Sequence, residues 1–331
     1  MDTIETRLSQ VDGAGGSLRY RGKEVGQVAG AGRLADVLAW LWRGEEARED
    51  EGLATARMWA AEQRDRVGPA LALDDGVAAV RAALGLVPEA SRTQLVAATG
   101  VFGAWWAAGE VRMPDPEADH ACDLHRLITG RRDPTAGRAL GVYLGTVADH
   151  GTNASTFAAR VVASTGADDL SAVAAALGAL SGPLHGGAPG PVLDMLDAVG
   201  GPEGAEAWVA AELKAGRRIM GMGHRVYRAR DPRAAVLEAA LRDLPMTGGR
   251  RALAAAVESE AVRQLALRHP ERPLCANVEF ATAVLLEALG ISRNAFTVVF
   301  AMGRVVGWLA HTAEQRDVGR MIRPVARYVG P

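Results

Sequence analysis

Between Met220 and Arg233 the chain reads Met-Gly-Met-Gly-His-Arg-Val-Tyr-Arg-Ala-Arg-Asp-Pro-Arg. His224 stands between glycines and a run of arginines: Arg225, Arg228, Arg230 and Arg233. Glycine lets backbone turn sharply or approach a ligand. Guanidinium groups bind carboxylate and phosphate through paired hydrogen bonds, and an imidazole can pass a proton near neutral pH. Together these residue types describe a site that holds a small anion and performs chemistry on it.

Two further histidines share this setting, polar and next to glycine at a break in helical pattern. They are His150 in Asp149-His150-Gly151-Thr152-Asn153 and His185 in Gly182-Pro183-Leu184-His185-Gly186-Gly187. The other four, His120, His125, His269 and His311, lack such punctuation. Any one histidine taken alone reads as a satisfied core or surface residue; three at breaks, one beside an arginine-rich loop, read as a site. Neither spacing around these three nor any CxxC or HExxH supports a metal centre. Glu279, in Cys275-Ala276-Asn277-Val278-Glu279-Phe280, is the candidate carboxylate base, although a glutamate in a first helical turn is also favoured by the helix dipole alone. Arg304 lies in the apolar run Phe300-Ala301-Met302-Gly303-Arg304-Val305-Val306, and a buried guanidinium needs an anionic partner from protein or ligand. Arg323, in Ile322-Arg323-Pro324, could be an ordinary surface residue.

The elements that position these groups are helical. At 331 residues, with 49% hydrophobic and 23% charged residues, the chain is long enough for one large or two modest domains. Aromatics make up 5%, so Ala, Val and Leu must build the core from closely approaching helices. A net charge of −2 argues against nucleic acid as the main partner. Of the 37 basic residues only Lys23 and Lys214 are lysines, a bias expected of a GC-rich genome. Cys122 and Cys275 are expected as free, partly buried thiols in a reducing compartment. The acidic and basic N-terminus shows no signal peptide, and the longest apolar run is placed near 171–181, short of the roughly 20 residues that span a bilayer; a cytoplasmic protein is expected. Residues 16–22 suggest a small hairpin. After Arg33 helical periodicity prevails, as at Leu34, Val37, Leu38 and Leu41. Asp133-Pro134 is a helix start, and 171–180 reads as a helix buried on all sides. Further helices are expected at 203–215, 232–242, 249–268, 281–289 and 294–315. The fold class is all-α.

Three segments resemble the signature motifs of the citrate synthase family. They are Gly182-Pro183-Leu184-His185-Gly186-Gly187-Ala188, the stretch Gly221–Arg233, and Asn277-Val278-Glu279-Phe280. Asn153–Val161, Gly303–Leu309 and Ile322-Arg323-Pro324 with Tyr328–Pro331 are similar to further family segments. The resemblance is strong from about residue 130 onward and partial before it. It implies a homodimer with a large helical domain (1–185 and 283–331), the helix 171–180 at its interface, and a smaller domain (186–282) that closes over the substrates. It implies condensation of acetyl-CoA with oxaloacetate to citrate and CoA, with no metal and no further cofactor. His224 would polarise and protonate the oxaloacetate carbonyl. His150 and Asn153 would help hold oxaloacetate, Arg233 and Arg304 would bind its carboxylates, and Arg323 would reach in from the other subunit. Phe300 would line the pocket, His185 would donate to the thioester carbonyl, Glu279 would remove a methyl proton, and Arg228 would contact CoA phosphates.

The sequence departs from the family at the base, where Glu279 replaces the usual aspartate. The extra methylene displaces the carboxylate by about 1.5 Å if nothing compensates. The chain is also shorter than usual between about 45 and 120, and Gly151-Thr152 replaces a bulkier pair. Three readings follow: a citrate synthase that uses glutamate, a relative acting on propionyl-CoA to give 2-methylcitrate, and a weakly active or non-catalytic paralogue that binds dicarboxylates.

Overall fold

The computed structural model describes residues 4–330 apart from 186–188, 225, 245–248 and 272–273. Gly186, Gly187, Ala188, Arg225 and Pro331, named above within motifs, lie outside the described residues. The expected all-α fold is observed, with one small antiparallel sheet at the N-terminus. The hairpin expected near residues 16–22 is there and larger. Strand Ser9–Asp12 pairs with Ser17–Tyr20, with Val11 opposite Leu18, and Ser17–Tyr20 pairs with Lys23–Glu24. Ser9–Asp12 escaped notice because SQVD alternates only weakly.

Helix starts follow side-chain chemistry. Asp133 caps Pro134–Thr146 by accepting from Ala136 N–H, as its Asp-Pro pair predicts. Ser91 and Gln94 form a reciprocal capping box on Arg92–Ala108. The helix expected at 281–289 begins three residues earlier, at Val278, because Asn277 accepts from both Glu279 and Phe280 N–H. Glu279 therefore sits inside the first turn. The helix Pro189–Val199 follows the Gly-Pro breaks where no helix was expected.

The core forms around Arg92–Ala108 and the 23-residue helix Phe296–Val318, both buried along most of their length. The latter corrects the estimate of the longest apolar run: Arg293–Val318 is long and apolar enough to cross a membrane. Nearly all of its most apolar window is buried inside the molecule, so it is accounted for as a core helix. Its glycines allow that depth. A Cβ on Gly303 would lie 2.5 Å from the Leu144 carbonyl oxygen, and one on Gly307 would overlap that of Ala148. The helix thus packs directly on the chain segment that leads into His150. Within one copy of the chain the helix Asp169–Leu180, expected to lie at a subunit interface, is buried along one side. It buries Ala172, Val173, Ala176, Leu177 and Leu180, while Ala174, Ala175, Gly178 and Ala179 remain half-exposed.

Candidate active site

The loop carrying His224 is joined to the helix carrying Glu279 by backbone pairing. Met222 and Ala276 form an antiparallel bridge. Gly223 N–H donates to Cys275 O at 2.8 Å, Asn277 N–H donates to Gly221 O at 2.9 Å, and the Asn277 amide donates to Gly223 O at 2.8 Å. This short ladder brings residues more than fifty positions apart into one place.

Within the loop, Asp231 organises the neighbourhood. It caps helix Pro232–Leu241, and its carboxylate accepts from Arg233 N–H (3.0 Å), Arg233 Nε (3.0 Å), Arg233 Nη2 (2.8 Å) and Val278 N–H (3.2 Å). Burial opposes its charge, but the paired Arg233 outweighs burial and holds Asp231 below the usual carboxylate range. Asp231 had no role in the sequence reading, although Asp231-Pro232 repeats the capping signal recognised at Asp133-Pro134.

Three rings meet here. His224 and Tyr227 lie 4.7 Å apart, His150 and His224 5.8 Å, and His150 and Tyr227 5.6 Å. His150 Nε2 is 3.1 Å from the Tyr227 hydroxyl. Tyr227 was quoted within the motif but assigned nothing; it is buried and forms one wall of the site. His224 Nδ1 accepts from the N–H of both Val226 and Tyr227 at 3.0 Å. An imidazole whose Nδ1 is an acceptor carries its proton on Nε2, so the approach of Arg233 Nη2 to Nε2 at 3.3 Å is one donor beside another and not a hydrogen bond. Burial, then the charge of Arg233, lowers the His224 pKa. Burial with Arg233 and Arg304 pushes His150 well below 6.5. Both shifts favour the neutral imidazole.

Arg304 is 2% exposed and forms no ion pair among the described residues. Its Nε donates to Val147 O at 2.5 Å and its guanidinium stacks over the Phe300 ring at 4.4 Å. Burial pushes its pKa down to about 10. Its positive charge also contributes to the lowered pKa of His185, after burial. His185 Nε2 lies 2.8 Å from Ser155 Oγ, which accepts from Trp308 Nε1 at 3.1 Å and lies 2.9 Å from Asn153 Oδ1. Ser155 and Trp308 were missed because neither type nor spacing marks them. Asn153, expected to face the dicarboxylate, caps helix Ala154–Ser164 through Oδ1. Glu279 is mostly buried; burial raises its pKa, and Arg233 pulls it back in part. Arg228 and Arg323 are exposed, Arg323 in the irregular segment 320–330. Among the described residues no group of three or more His, Cys, Asp or Glu is placed to hold a metal ion.

The family model for the citrate synthase C-terminal domain matches residues 1–325. The chain belongs to the citrate synthase family. The citrate synthase of Synechocystis is 34% identical over 98% of this chain and 88% of its own length. The crystal structure of citrate synthase from Thermotoga maritima superposes with a TM-score of 0.84 at 32% identity, covering 100% of this chain and 94% of that one. Citrate synthase from Thermoplasma acidophilum, solved as a ternary complex with carboxymethyl coenzyme A and oxaloacetate, gives a TM-score of 0.86 at 26% identity, with 100% and 94% covered. The all-α fold is the citrate synthase fold.

Proposed function

We propose that this protein condenses acetyl-CoA with oxaloacetate, releasing citrate and CoA. The observation that carries the reading is Arg304, a buried guanidinium that feels the charge of Asp149 but forms no ion pair among the described residues, close enough to His150 and His185 to depress both. A dianionic keto acid supplies the missing charge, bound between Arg304 and the free edge of Arg233. The Thermoplasma relative holds that keto acid with a coenzyme A analogue, which supports the same pair of substrates here.

In this scheme His224 donates Nε2–H to the keto oxygen of oxaloacetate, a role supported by the two amide N–H groups that occupy Nδ1. His150 and Asn153 line the same anion, and Phe300 backs it beneath Arg304. Glu279 takes a proton from the acetyl methyl group. The electron pair moves onto the thioester oxygen, which accepts a hydrogen bond from His185. The Ser155 hydroxyl has one proton and two acceptors to choose from, Asn153 Oδ1 and His185 Nε2. Given to Nε2, it leaves the His185 proton on Nδ1, free for the thioester. The enol carbon then attacks the keto carbon as His224 gives its proton to the new hydroxyl. Water attacks the thioester carbon, the C–S bond breaks, and CoA leaves as its thiol. A raised pKa suits Glu279 to this task, since a base works best with a pKa near the working pH.

The rest of the scheme has residues 186–282 closing over the substrates, with Arg228 on CoA phosphates and Arg323 entering the site of a second copy. The half-exposed face Ala174, Ala175, Gly178 and Ala179 supports a dimer, because small residues let helix backbones approach closely. A thiol-release assay with oxaloacetate tests the function, run in parallel with acetyl-CoA and propionyl-CoA. Faster release from acetyl-CoA is expected. Faster release from propionyl-CoA would replace the reading with 2-methylcitrate synthesis. Oxaloacetate binding without thiol from either donor would leave a dicarboxylate-binding paralogue.

A further inference from the structure

The N-terminal hairpin has no role in the scheme above, yet it touches both histidine-bearing turns. On the His150 side, the Ser9 hydroxyl donates to the Asp149 carboxylate and accepts from Gly151 N–H at 3.1 Å. The Tyr20 hydroxyl accepts from Asp149 N–H at 3.1 Å and lies 2.9 Å from Thr146 O. His150 is therefore held through both of its chain neighbours. Asp149 is fixed from behind as well, by His311 Nε2 at 3.1 Å.

On the other side the hairpin tip rests on the loop that carries His224, Tyr227 and Arg233. Arg228 N–H donates to Gly13 O at 2.7 Å. A Cβ on Gly13 would stand 2.5 Å from Val226 O and 3.1 Å from Val226 Cγ1; one on Gly16, whose φ is +64°, would stand 2.9 Å from Ala229 Cβ. Gly13 lies against the Val226 backbone and Gly16 against the Ala229 methyl, approaches too close for a Cβ at either position. The tip holds its shape because the Asp12 carboxylate accepts from Ala14 N–H (3.0 Å) and Gly15 N–H (2.8 Å).

From this arrangement we infer that the hairpin is a clamp that sets the register of the 224–233 loop against the 149–151 turn. It thereby fixes the spacing of His224 and His150, whose rings are 5.8 Å apart. Ser9, Gly13, Gly16 and Tyr20 are positioning residues, since none acts on the ligand itself. The identity of that ligand as oxaloacetate rests on the proposed function; the clamp does not.

The test compares Gly13→Ala with the full-length wild type, using Ala14→Val at the exposed tip as the control. Amide hydrogen exchange at Val226, Tyr227 and Arg228 is expected to rise about tenfold or more in Gly13→Ala, as a local opening stabilised by one fewer hydrogen bond, with exchange in the core helix 296–318 unchanged. The KM for oxaloacetate should rise about tenfold, because sub-ångström misplacement of a binding group is costly. Ala14→Val should match the wild type in every measurement. Loop exchange within twofold of wild type in Gly13→Ala, or an equal rise throughout the chain, would overturn the clamp. If Gly13→Ala does not fold, Gly16→Ala carries the same comparison, its methyl meeting the Ala229 Cβ and its backbone strained at a φ of +64°. A wild type that neither binds oxaloacetate nor releases thiol would sink the proposed function, and the exchange data would still decide the clamp.

Discussion

Replacing Arg304 with methionine separates a functional guanidinium from a structural one by the sign of a stability change. Met fills similar space without charge. In the unliganded protein the Arg304 pKa falls from 12.5 to about 10, chiefly through burial, which corresponds to about 3 kcal/mol against carrying the charge. Against this stand one hydrogen bond to Val147 O and the stacking over Phe300, each about 1 kcal/mol. Arg304→Met should therefore leave the unliganded protein as stable as before or about 1 kcal/mol more so, a rise of roughly 2 °C in midpoint. A buried arginine paired within the protein would instead cost about 3–5 kcal/mol on removal. The second half concerns ligand. Saturating oxaloacetate at 100 times its Kd should stabilise the wild type by about 2.7 kcal/mol. Loss of charge-assisted bonds worth about 1.5–3 kcal/mol each should weaken binding by at least tenfold, which cuts that shift to about 1.4 kcal/mol or less. Thermal unfolding with and without oxaloacetate measures both quantities. A large loss of unliganded stability, with the oxaloacetate shift intact, would refute the account of Arg304 as an unsatisfied ligand-binding charge.

Other predictions follow from the same geometry. Glu279→Gln should lower turnover by about a hundredfold or more while Glu279→Asp retains it, measured by thiol release; equal rates in all three would remove Glu279 from proton transfer. The rate should fall with acid as Glu279 protonates, at a pH above that of an ordinary glutamate because burial raises its pKa, and a kcat/KM profile locates this limb. Asp231→Asn leaves Arg233 without its counter-charge and should cost about 3 kcal/mol or more. Its folded pKa is depressed, so the wild-type contribution is present above the ordinary carboxylate pKa of about 4 and disappears as pH falls through the folded value. Chemical denaturation at several pH values checks this, and the gap between the two proteins should narrow in acid. The lowered pKa values of His150, His185 and His224 predict that stability declines as pH drops below about 6.5, because the unfolded chain binds protons the folded one refuses. Replacing all three with asparagine should reduce that slope, with the remainder carried by His120 and His125, whose pKa values burial also lowers.

The amino-acid sequence by itself determined the helical architecture, since apolar spacing, Asp-Pro starts and glycine stops are local signals. It also determined which residue types the site uses: His150, His185, His224, Arg233, Glu279 and Arg304 stand in motifs whose chemistry is readable one segment at a time. Partnership is not local. Only the tertiary structure decided that Arg233 is claimed by Asp231 while Arg304 has no such claimant among the described residues, though both are arginines near helix ends or cores. It likewise decided that Ser155 and Trp308 stand behind His185 and that Tyr227 stands between His150 and His224. A side chain's charge state and freedom to bind depend on what lies within a few ångströms of it. Apart from Asp231, which is two residues from Arg233, those neighbours come from segments 30 to 153 residues away, which the packing of helices brings together and no periodicity records.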